Sequence, residues 1–128
     1  MHAADSYDYA LIRVVPRVER GEFINAGVIV SCESRQFLQA RVEVDERRLR
    51  ALDPAIDIDT VRRHLQAIVR VCDGASDAGP IARLPRRARF HWLTATRSSI
   101  IQTSPTHMGR CVDPQGAVER LFAQMVST

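Results

Sequence analysis

Three strand-like segments on short polar connections constrain the fold of this chain more than any other feature. Tyr7 to Val15 is rich in aromatic and β-branched residues and stops at Pro16, which has no N–H to give to a ladder. After the polar connection Arg17 to Glu22, Phe23 to Cys32 reads as a second strand. A turn at Ser31 to Arg35 leads into Gln36 to Val44, where Leu38, Ala40, Val42 and Val44 alternate against Gln39, Arg41 and Glu43. Connections this short have no room for a parallel crossover, so the three segments predict an antiparallel meander.

Helices and strand follow. Asp45 to Leu52 predicts a short helix closed before Pro54, and Asp59 is the expected cap of a second, with Val61, Leu65, Ile68, Val69 and Cys72 at helical spacing and an end near Gly74. Residues 73–85 hold Gly74, Gly79, Pro80 and Pro85 and read as a loop. Arg86 to Thr94 is a short helix, and Ser98 to Ser104 a fourth strand stopped by Pro105. Asp113-Pro114 opens a last helix, with aspartate as cap and proline at the first helical position, and Ala117, Val118, Leu121, Phe122, Met125 and Val126 form its apolar stripe. The class is α+β: a mainly antiparallel sheet of about four strands with helices packed on one face. One domain spans 1–128, with residues 1–6 expected to be flexible.

Composition excludes several chemistries. All 18 basic residues are arginine, so the lysine that a P-loop, a protein kinase or Schiff-base catalysis requires is missing. Cys32, Cys72 and Cys111 show no Cys-x-x-Cys pairing, and His2, His64, His91 and His107 are scattered, so neither a disulfide framework nor a metal site is expected. No cofactor is expected either. No apolar run approaches the roughly 18 to 20 residues of a membrane span, and the start lacks the pattern of a secretion signal, so the expected location is the cytoplasm, with no membrane partner. A net charge of +3 permits an acidic partner, and Arg83, Arg86, Arg87 and Arg89, followed by Phe90, His91 and Trp92, form a weak candidate nucleic-acid patch.

Candidate ligand-binding residues gather in two places. Arg13 interrupts an apolar strand; Glu22, Asn25 and Gly27 lie where a turn enters the next, and Asn25 is the only asparagine in the chain. Asn25 and Gly27, two residues apart, should share a face, with Gly27 letting a ligand approach the backbone or, alternatively, forming a β-bulge or making room for an aromatic ring. Downstream, Arg97, Ser98, Gln102 and His107 surround a short apolar strand, where a guanidinium and hydroxyls could clamp an anion or simply close a turn. No Gly-x-Ser-x-Gly elbow accompanies the serines, and no catalytic residue is assigned.

The ordered set Tyr7 to Pro16, Gly21 to Ile29, Arg97 to Gln102 with His107 and Gly109, and lastly Asp113-Pro114, resembles a bacterial family catalogued as Domain of Unknown Function 3037. The resemblance extends over roughly Tyr7 to Val126 and implies no particular reaction. It does imply a neighbourhood of HipA-like kinases, and hence a protein partner. The favoured expectation is therefore a noncatalytic binding or accessory module for such a partner. The alternative is an enzyme or binder that takes a phosphorylated or anionic ligand, or nucleic acid, in one Arg/Ser/Gln/His pocket.

Overall fold

A computed structural model describes residues 4–97 and 99–127. Its five strands are β1 (Asp5–Val14), β2 (Ile24–Cys32), β3 (Phe37–Val42), β4 (Ile101–Thr103) and β5 (His107–Cys111). Its helices are α1 (Glu46–Leu52), α2 (Ile58–Asp73), α3 (Arg86–Leu93) and α4 (Pro114–Met125). Every strand pairing is antiparallel, and the order is β3-β2-β1-β4, with β5 also on β1. The α+β class and the meander are as the sequence predicts.

The fifth strand is an addition. His107 lies in β5, because β4 and β5 form two consecutive stretches along β1, interrupted at Pro105. Across the break Ser104 keeps the ladder satisfied: its Oγ accepts from the Leu11 N–H at 2.8 Å, while its own N–H donates to the Leu11 carbonyl at 2.8 Å. The first strand also begins earlier than expected. Asp5 is held by Arg35 at 2.8 Å and pairs with Cys111, so Asp5 and Ser6 belong to the sheet.

Helices cover both faces of the sheet, a correction to the one-sided arrangement. Ile12, Val14, Ile29, Leu38 and Ala40 pack under α1, α2 and α3, whereas Val28, Val30 and Cys32 pack under α4 with Val118, Leu121 and Phe122. The central strand therefore buries apolar side chains of both parities, as a two-sided strand must. Asp57, and not Asp59, caps α2; its carboxylate accepts from the Thr60 N–H and hydroxyl. Gly74 closes that helix in the left-handed conformation. Within 73–85, Pro80–Arg83 makes a 3₁₀ turn that buries Ala82.

Candidate functional site

A β-bulge decides the geometry around Asn25. Ile12 pairs with Gly27, yet the next residue, Arg13, pairs with Asn25, leaving Ala26 as the extra residue on β2. The inserted residue reverses the alternation, so Asn25 and Gly27 lie on opposite faces instead of sharing one. Gly27 faces the α2 side, where a Cβ would sit 2.7 Å from the Arg41 carbonyl oxygen and 2.9 Å from Val42 Cγ1. Protein atoms already occupy the approach that a ligand would have needed. The ring sheltered by a glycine is elsewhere: Gly109 lies beneath Tyr7, whose ring a Cβ would meet at 2.6 Å.

On the α4 side the register brings three polar residues into one rung across three strands, Asn25 and Gln102 each being the cross-strand neighbour of Arg13. All three are half-buried. The Asn25 amide nitrogen donates to the Met125 carbonyl at the end of α4 (3.2 Å), and the Gln102 amide donates to the Ser99 carbonyl (2.8 Å). The Arg13 guanidinium lies 4.2 Å from the centre of the Phe23 ring. No carboxylate among the described residues pairs with it, its Nε is buried without a hydrogen-bond partner, and so is Asn25 Oδ1. Such a group is costly to hold, which marks the rung as a place where something outside the chain would be welcome. Phe23 and Met125 beside it are exposed.

The other candidates disperse. Glu22 turns to solvent and pairs with Arg20 at 2.6 Å. His107 faces Tyr9, with ring centres 5.4 Å apart, four residues along β1 from Arg13 and therefore about 14 Å away. Arg97 donates to the Trp92 and Leu93 carbonyls (2.6 and 3.2 Å) at the end of α3, on the opposite side of the sheet. Ser98 lies outside the described residues. Of the seven candidates among the described residues, Arg13, Asn25 and Gln102 meet, and Glu22, Gly27, Arg97 and His107 do not join them.

The arginine patch before Phe90 is reduced in the same way. Arg89 is buried; its Nη1 donates to the Val71 and Cys72 carbonyls (both 2.8 Å) and its Nε to the Leu84 carbonyl (2.9 Å), so its charge caps α2. Arg87 pairs with Asp8 at 2.6 Å. Arg83 and Arg86 alone remain exposed, too little for a phosphate track. Among the described residues, no three His, Cys, Asp or Glu side chains gather as metal ligands.

A family model described as a protein of unknown function, DUF3037, matches residues 9–126. The chain belongs to the DUF3037 family. No curated protein and no solved structure matches it. The DUF3037 match takes in the whole rung, both helical layers and all of β2 to β5, so the polar cluster lies within the family's domain and not in an appendage.

Proposed function

We propose that the chain is a noncatalytic binding module for a protein partner, which docks on the part of the sheet beside the end of α4. The observation that carries this reading is the half-buried Arg13 guanidinium, without an acidic partner among the described residues, at the centre of the Asn25–Arg13–Gln102 rung. A partner carboxylate set in an otherwise apolar surface would complete it, and Phe23 and Met125 supply apolar contact at the rim. The HipA-like kinase implied by the family resemblance is the first partner to test. The proposed location is the cytoplasm, in keeping with the lack, among the described residues, of any helix long and apolar enough to cross a membrane.

Co-expression with a HipA-like kinase and gel filtration tests the proposal. The wild-type chain should co-elute with it, and Arg13→Glu should abolish co-elution by setting two carboxylates against each other. Wild-type and Arg13→Glu chains that behave alike would refute the role of the rung.

A further inference from the structure

On the far side of the sheet, a cleft of about 360 Å³ opens between α2, the 80–83 turn and α3. Its volume is within the roughly 300–1,000 Å³ of small-molecule sites. Nine of its twelve lining residues are apolar; the other three are His64, Arg97 and Ser99. Val71, Leu93 and Ile101 are buried beneath it, whereas Trp92, the only tryptophan, is 44% exposed. An aromatic face of that size left beside buried aliphatic residues is the usual composition of a site for an apolar body.

One cation stands at this cleft. The Arg97 guanidinium lies 4.4 Å from the centre of the Trp92 ring, and its bonds to the Trp92 and Leu93 carbonyls fix its plane. Those carbonyls take two of its five N–H groups and cancel no formal charge, and no carboxylate among the described residues pairs with it. The charge to be matched is therefore single. A phosphate dianion would be left half-neutralised against apolar walls, but a carboxylate matches both the charge and the fork geometry of a guanidinium.

We propose that this cleft binds a small amphiphilic monocarboxylate, with its alkyl or aryl body against Ile68, Ile81 and Trp92 and its carboxylate on Arg97. The site lies on the opposite face of the sheet from the proposed protein-binding rung, and the two meet at Ser99, whose carbonyl accepts from the Gln102 amide.

Trp92 makes the test direct. Decanoate and decyltrimethylammonium below their micellar concentrations, and decanol below its solubility limit, are titrated into the full chain while tryptophan emission is followed, and calorimetry gives the stoichiometry. Decanoate should shift the emission saturably at one equivalent, decanol should bind roughly tenfold to a hundredfold more weakly, and the cation should not bind. Ala67→Phe, on the exposed surface of α2 lining the cleft, should remove decanoate binding while leaving the far-ultraviolet circular dichroism unchanged. Equal affinity for decanoate and decanol would overturn the role of Arg97. Decanoate binding that survives in a folded Ala67→Phe chain, or no saturable response of the wild-type chain to decanoate, would overturn the site.

Discussion

Arg13 and Arg89 are both withdrawn from full solvent, yet they do opposite things. Arg89 satisfies three carbonyls and closes α2, so Arg89→Met leaves those oxygens unpaired and should cost about 2–4 kcal/mol in urea denaturation. Arg13 has Phe23 beneath its guanidinium and no carboxylate within reach among the described residues, so Arg13→Met gives up little and removes an uncompensated charge. Its melting temperature should match or exceed the wild type's by a few degrees; a clear drop would mean that Arg13 holds the fold and not a partner. Gly27 presents a third case. Gly27→Ala drives a Cβ into the Arg41 carbonyl, which is backbone and cannot rotate away, and should destabilise the chain by about 1–3 kcal/mol in the same assay.

At the scale of elements, α2 shows how capping ties stability to pH. The Thr60 hydroxyl and N–H hold the Asp57 carboxyl below its ordinary value near 3.8. With the folded value below the unfolded one, the stability this cap contributes is complete above the ordinary carboxylate range and is lost as pH falls through the folded value. The difference in melting temperature between wild type and Asp57→Ala should accordingly be greatest at neutral pH and close on acidification. At the other end of the helix, burial pushes the Cys72 thiol up to about 12, so it should not react with a disulfide reagent at pH 8 until the chain unfolds. The elements legible in the sequence were those with a local cause: strand alternation in β3, the Asp-Pro start of α4, and Gly74 ending α2. His107 to Cys111 has no β-branched residue, and only pairing with β1 makes it a strand, so it could not be read locally. The unbroken run Val28-Ile29-Val30 did carry a signal for two-sided burial, and hence for α4 on the second face.

Seen whole, the molecule is a sheet between two unequal helical layers, and the polar rung lies on the side of the single helix α4. The candidate site was only partly legible because cross-strand neighbours depend on register. One inserted residue at Ala26 brought Asn25 beside Arg13 and turned Gly27 away; a β-bulge was one of the alternatives the sequence raised at Gly27, but no spacing says which residue is inserted or what register follows. Arg97 and Gln102 ended on opposite sides of the sheet because Arg97 precedes β4 and is held by the α3 carbonyls of Trp92 and Leu93, whereas Gln102 lies within β4 opposite Arg13. The central claim is that the α4 side of the sheet around Arg13 receives a protein partner. Hydrogen exchange of the chain, alone and with a HipA-like kinase as the proposed partner, tests it most directly. Exchange should slow in Phe23 to Asn25, in β4 and at the end of α4, with α2 and α3 unchanged; protection confined to α2 and α3 would contradict a partner on the α4 side.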